Sequence, residues 1–224
     1  MTGIKKEDYQ QLMELLQGAY RYFLQNQDGF WQATRQHLVL SLSALGIAVL
    51  ISLPLGVWIA RRATLAQVVI NVFNALRVIP SLAILFLALP YLGLGFLPSL
   101  VALTFLAFPP ILINTYAGLR GVDPAAIEAA YGMGMAPRQV LWQVEIPLAV
   151  ATILAGLRLA AVEVISSATL ASFIGGGGLG DFITRGFALY DVHIMLVGAI
   201  PVALLALFSE GLLGGIQRMY RVPG

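Results

Sequence analysis

The chain contains no cysteine. That excludes disulfides, thiol catalysis and thiolate metal sites. Histidine is almost as scarce: only His37 and His193 occur, far apart in the sequence. Each reads as an interfacial or helix-packing residue rather than a metal ligand. Charged residues make up 11% of the chain, against about 25% in a soluble domain. The net charge of +2 is too small and too scattered to mark a nucleic-acid surface. The glycine-rich run Gly175–Gly180 lacks the Gly-Lys-Ser/Thr of a phosphate loop and follows no strand pattern, so it is no nucleotide site. No catalytic cluster emerges elsewhere, so an enzyme is not expected.

What the chain does have is apolar length. Of 224 residues 59% are hydrophobic, in runs that are long and do not alternate. These features predict an all-α polytopic membrane protein and not a barrel. The length allows about five transmembrane helices with short loops and leaves no room for a separate soluble enzyme domain. Residues 1–30 are polar and mixed in charge and lack the apolar core of a cleavable signal. The first span is therefore expected to act as its own insertion signal.

Residues 1–35 read as an N-terminal amphipathic segment. Its apolar positions Leu12, Leu15, Leu16, Ala19 and Phe23 suit one face of a helix, and Gly29-Phe30-Trp31 reads as an interfacial anchor. Residues 36–221 read as the membrane domain. Span one is expected at about 38–60, with Pro54 and Gly56 as kink candidates. Span two falls at about 67–92 and is interrupted by Arg77 and Pro80, the proline bending the helix. Span three covers about 99–119, with Pro109-Pro110 breaking it near its middle. Span four covers about 148–172, and span five about 193–216. Five spans put the termini on opposite sides.

Between spans three and four lies the most telling stretch, a polar loop at 123–147. It opens with Asp123-Pro124, a helix start signal, and is expected to be a helix over 123–146. Glu128-Ala129-Ala130 follows, then Gly134, then Val144, Ile146 and Pro147. Gly132 and Gly134 allow tight turns, and Pro147 is expected to stop the loop helix. Arg61, Arg62, Arg120, Arg138, Arg218 and Arg221 share the side of this loop, against Lys5, Lys6, Arg21, Arg35 and Arg185 on the other. The arginines that flank the spans favour a cytoplasmic loop.

The spacing Glu-Ala-Ala, three residues, Gly, nine residues, aliphatic, one residue, aliphatic, Pro resembles the EAA loop of permease subunits of bacterial ABC importers. The resemblance implies the fold of a methionine-importer-type permease with a cytoplasmic coupling helix. The coupling residues would be Glu128, Ala129, Ala130, Gly134 and Pro147, the small ones letting a partner approach closely. ATP and Mg would be bound by a separate ATPase, with no cofactor in this chain. The other implied partners are a second permease, the same chain or a relative, and an external substrate-binding protein. The location would be the bacterial inner membrane, with the N-terminus outside and the C-terminus cytoplasmic. Further segments widen the match: Arg77-Val-Ile-Pro80-Ser-Leu-Ala, Pro109-Pro110-Ile-Leu-Ile-Asn114-Thr115-Tyr116, and Ala168-Thr-Leu-Ala-Ser-Phe-Ile-Gly175 with Gly178-Leu-Gly180. These resemble the osmoprotectant subgroup, which imports glycine betaine, choline, carnitine and related quaternary ammonium compounds. The resemblance places the glycine-rich segment on the external side of the path. Arg77, Pro80, Asn114, Tyr116, Glu163, Gly177 and Gly178 are the gate and path candidates.

Arg77, Arg158, Glu163 and Glu210 fall within apolar runs. An ion at the bilayer centre costs at least about 2.5–3.5 kcal/mol on insertion scales, so these should pair or face water. Arg158 and Glu163 lie roughly 140° apart around a helix, so pairing across helices is expected, for example Glu163 with Arg77. Phe105, Phe108, Tyr116 and Phe173 could offer aromatic faces to a quaternary ammonium, although aromatics are also ordinary membrane packing. Two alternatives remain on the residues: an importer for another small solute such as an amino acid, and an ATP-independent secondary carrier. A proton-driven carrier would call for more carboxylates near the midplane.

Overall fold

The structure is a computed structural model that describes residues 6–220; Lys5 and Arg221 of the charge balance lie outside them. The described secondary structure is helical throughout. In chain order come α1 (Lys6–Gln25), α2 (Gln27–Ala60), α3 (Ala63–Leu76), α4 (Ser81–Leu92), α5 (Phe96–Arg120), α6 (Pro124–Gly132), α7 (Pro137–Val140), α8 (Ile146–Ser167), α9 (Gly180–Leu189) and α10 (Val192–Met219). A π turn, Leu141–Glu145, joins α7 to α8, and a 3₁₀ segment, Ala168–Ile174, extends α8.

Four helical runs are long and apolar enough to cross a membrane: α2, α5, the joined run Pro137–Ile174, and α10. α3 and α4 together reach the length and apolarity of a fifth crossing, but as a broken pair. The axes of α3 and α4 meet at 94°, an interruption at the expected place, Arg77 to Pro80. Pro80 carries no N–H and disfavours helical backbone at Ile79. The chain instead tightens into i→i+3 turns at Val78 and Ile79 and restarts after Pro80.

Pro109 and Pro110 do not break α5, contrary to expectation; both lie buried inside one 25-residue helix. A proline there removes one helical donor and crowds the preceding turn. Close neighbours make this tolerable, and α5 is the central element, flanked by α2 and α8. Just beyond the prolines, Asn114 donates to the Pro110 carbonyl at 2.8 Å and Thr115 to that of Ile111 at 2.7 Å.

The first span is also longer than expected. α2 runs 34 residues from Gln27 without a break, about 51 Å at 1.5 Å per residue, well beyond the ~30 Å hydrocarbon core. Its first turns therefore extend outside, and the boundary expected after residue 35 coincides with no structural break. Gly29-Phe30-Trp31 is helical, and Phe30 packs edge-on against Phe23 at 4.8 Å. At Gly56 a Cβ would lie 2.7 Å from the Thr115 side chain, so the glycine lets α2 and α5 touch.

The core is a seam of small residues between α2, α5 and α8: Ala44 and Ala48, Ala107, Ala160 and Ala168, filled by Leu40, Leu103, Ile111 and Val164. Small residues allow the backbone approach that drives helix association in lipid. Gly156 takes this furthest, since a Cβ would lie 2.5 Å from the Pro110 carbonyl oxygen. α1 packs against α10 through Ala19 and Phe23, while Leu12 and Leu16 remain exposed. His193 bonds the Leu15 carbonyl at 3.2 Å, and the buried His37 bonds that of Ile165 at 3.1 Å. Both histidines thus tie helices together.

Candidate coupling and gating site

Asp123 caps α6 by accepting from the Ala125 N–H at 2.9 Å, with Pro124 in the first turn. The helix ends after about two and a half turns at Gly132, because Gly134 takes the left-handed conformation at φ +83°. Met135 N–H reaches the Ala130 carbonyl and Gly134 N–H that of Tyr131. This is the paired closure of a Schellman end, with glycine at its left-handed position. Gly132 remains helical, so only Gly134 makes the turn. Pro137 then starts α7, where the Gln139 side chain accepts from the Ala136 N–H at 2.8 Å. The loop is thus two helices around a glycine turn, not the single helix expected over 123–146.

The two faces of α6 differ. Ile127 and Ala130 turn inward; Ala130 is 1% exposed, and Ile127 packs against the cluster of Ala60, Leu119, Val122 and Ala149. The smallness of Ala130 therefore serves packing within the chain, not the approach of a partner. Glu128, Ala129, Tyr131, Met133 and Gly134 are exposed, Met133 by 75%. Among the described residues Glu128 has no ion-pair or hydrogen-bond partner; it borders a cavity of about 340 Å³ together with Arg61, Arg120 and Glu145.

Pro147 does not stop the helix. It is exposed in the first turn of α8, inside the continuous run Pro137–Ile174. The preceding π turn absorbs it: Ile146 N–H bonds Leu141, five residues back. One extra residue in that turn changes the bonding register just before a residue that cannot donate. The same turn buries Glu145, whose carboxylate meets Arg61 at 2.7 Å. Arg61 looked topogenic and Glu145 looked like loop, so sequence reasoning missed this bridge between α2 and α8. The available signal was a carboxylate held between Val144 and Ile146, two residues before a proline.

At the opposite end the glycine-rich segment is irregular, and it is buried from Gly176 to Gly180. Gly175, Gly177 and Gly178 have φ of +75°, +72° and +95°. Gln36 donates to the Gly176 carbonyl at 3.1 Å, and a Cβ on Gly177 would collide with the Gln36 side chain. Gly95 N–H donates to the Ile174 carbonyl at 2.7 Å. The segment is thus tied to α2 and to the α4–α5 turn. Asp181 follows in α9; burial pushes its carboxyl above the ordinary aspartate range, partly opposed by Arg185.

The path candidates only partly converge. Arg77 is exposed at the α3–α4 break, within Coulombic reach of half-buried Glu163 on α8, although no ion pair closes within 4.0 Å. Arg158 instead pairs with Glu210 of α10 at 3.4 Å. Asn114 lies against Gly156. Tyr116 packs into the clusters between α2, α3 and α8. Phe105 joins Phe108 at 5.6 Å, and neither Tyr116 nor Phe173 joins them in an aromatic pair.

Known proteins are similar to this chain in sequence and in fold. Residues 52–222 match the family of the binding-protein-dependent transport system inner membrane component. The carnitine transport permease protein OpuCB of Listeria monocytogenes is 47% identical, over 88% of this chain and 90% of that protein. The choline transport system permease protein OpuBB of Bacillus subtilis is 43% identical, over 90% and 94%. Among solved structures, the inward-facing MetNI methionine ABC transporter superposes with a TM-score of 0.77, covering 98% of this chain and 100% of that one, at 20% identity. An amino acid ABC transporter gives 0.71 over 88% and 97%, at 22% identity. These two likenesses concern the fold; the identities above concern descent. The chain is a multi-pass membrane permease that belongs to the binding-protein-dependent transport system inner membrane component family.

Proposed function

We propose that this chain is the permease of an ATP-driven importer for glycine betaine, carnitine, choline or a related quaternary ammonium solute. The supporting observation is the α6–α7 turn. Its inner face is anchored by Ile127 and Ala130, while Glu128, Tyr131 and Met133 stand free. That is the form of a rigid docking element joined directly to a membrane helix. The names of the relatives at 47% and 43% identity support the solute class.

In this reading the turn docks on a cytoplasmic ATPase, which holds ATP and Mg and carries out hydrolysis, while the permease does no covalent chemistry. That orientation places α1 and the N-terminus outside and the end of α10 inside; Arg61, Arg62, Arg120 and Arg138 at the docking end support it. A second permease, the same chain or a relative, completes the path, and an external binding protein delivers solute. Glu128 and Gly134 act in coupling. Arg77, Pro80, Asn114 and Glu163 lie along the path, and Gly177 and Gly178 shape its outer gate. ATP binding closes the ATPase pair and moves both docking turns, opening the path outward.

The test is ATP hydrolysis by the reconstituted permease, ATPase and binding protein, with and without glycine betaine, carnitine or choline. Hydrolysis that rises only with the loaded binding protein is the expected result. Stimulation by a different solute alone would overturn the solute class and keep the coupling. Failure to associate with any ATPase would overturn the docking role of 123–147.

A further inference from the structure

A groove of about 740 Å³ opens between the end of α2 and the start of α8, floored by Thr115 of α5. Its walls are apolar, with Val57 on one side and Ile146 and Val150 on the other. Trp58 and Trp142, both exposed, line it as well. Tryptophans concentrate at the membrane–water boundary, where an apolar ring meets a polar edge. Two arginines complete the lining, and they differ. Arg61 is bridged to Glu145. Arg62 lies over the Trp58 ring, 4.9 Å from its centre, and among the described residues has no carboxylate partner.

The groove thus combines an apolar slot between two spanning helices with one uncompensated cation at the level of the tryptophans. A zwitterionic lipid would fill the slot and leave that charge unbalanced. A second copy of the chain would fill it with side chains and have to bring a carboxylate to Arg62. An anionic phospholipid satisfies both halves at once, its chain in the slot and its net negative headgroup on the cation. We propose that this groove is a binding site for one anionic phospholipid, with an acyl chain along Val57, Ile146 and Val150 and the headgroup on Arg62.

Three tryptophans occur in the chain. Trp31→Phe leaves Trp58 and Trp142, both in the groove, as reporters. The full chain carrying this change is placed in vesicles of phosphatidylcholine and phosphatidylglycerol, with bromine on the acyl chains of one lipid or the other. Brominated phosphatidylglycerol should quench about fivefold beyond its mole share, the enrichment expected from one arginine near the headgroup plane. Adding Arg62→Gln should reduce quenching to the mole share, and Arg62→Lys should restore it. Equal quenching by the two lipids, or excess quenching that survives Arg62→Gln, would overturn the proposal. Protection from both lipids would also overturn it, since the groove would then be covered by protein.

Discussion

Removing either half of the Arg61–Glu145 bridge should weaken the joint between α2 and the docking turn, and the two halves should differ. The Glu145 side chain is 6% exposed and that of Arg61 45%. Arg61→Ala leaves a carboxylate buried without its partner. Breaking a buried pair in that way costs about 3–5 kcal/mol, and solvent reaching Arg61 brings this site to the lower end, about 3 kcal/mol. Glu145→Ala leaves only a half-exposed guanidinium that water can re-solvate, at about 1 kcal/mol, near the value of a surface pair. In a chain of this size 1 kcal/mol shifts Tm by roughly 2–4 °C. The expected losses are about 6–12 °C for Arg61→Ala and about 2–4 °C for Glu145→Ala, read from the thermal transition of the detergent-solubilised protein by tryptophan fluorescence. The double variant should be more stable than Arg61→Ala alone, because it no longer strands a charge. Arg61→Ala proving no worse than Glu145→Ala, or a double variant showing the sum of the two losses, would refute this account of the joint.

Gly134→Ala meets no neighbour within 4 Å, so its cost is the left-handed backbone alone, about 1–2 kcal/mol. It should lower solute-stimulated ATP hydrolysis more than membrane insertion, as judged by activity per inserted molecule. Glu128→Lys reverses a free exposed charge and should reduce uptake while leaving Tm within about 1 °C, since changes at such surface positions cost little; normal uptake would remove Glu128 from coupling. Gly156→Leu drives a side chain into the Pro110 carbonyl and Asn114; it should separate α5 from α8 and abolish a stable folded product in size-exclusion chromatography. The raised carboxyl of Asp181 makes its contribution to stability complete at low pH and progressively lost as pH climbs past the ordinary aspartate value towards the raised one. Asp181→Asn should therefore raise Tm at pH 7 and leave it unchanged well below the ordinary aspartate value; an equal effect at both would place its cause outside titration.

The features legible in the sequence were those written in local chemistry. Asp123-Pro124 announced a helix start, Gly134 a turn, and the apolar runs their helices, because each rests on a residue's own backbone preference or on periodicity. The misreadings arose where a neighbour outweighs that preference. Pro109 and Pro110 are breakers in isolation, but α5 is held between α2 and α8. Pro147 is a stop signal in isolation, but the π turn before it takes up the register change. Gly56 reads as a kink candidate, and its close contact with Thr115 is not visible from the sequence. Ala130 reads as a surface for a partner until Ile127, one turn earlier, is seen pointing inward. Charge pairing was legible as a requirement and not as a list: Arg158 did need a partner across helices, and Glu210 supplies it. The Arg61–Glu145 bridge spans 84 positions, and no local pattern encodes a contact over that distance.

The joined run from Pro137 to Ile174 is 38 residues long, about 57 Å at the α-helical rise. Its two ends are the α7 start beside the docking turn and the carbonyl of Ile174 that holds Gly95. Mechanically this is one arm with a load at each tip and its tightest bearing at Gly156, roughly halfway along. Pivoted there, a tilt of 5° would swing each tip by about 2.5 Å for an arm of that length, in opposite directions. A hydrogen bond of 2.7 Å between Gly95 and Ile174 does not survive a displacement of that size. The glycine-rich end therefore has to move with the arm as one body or release it.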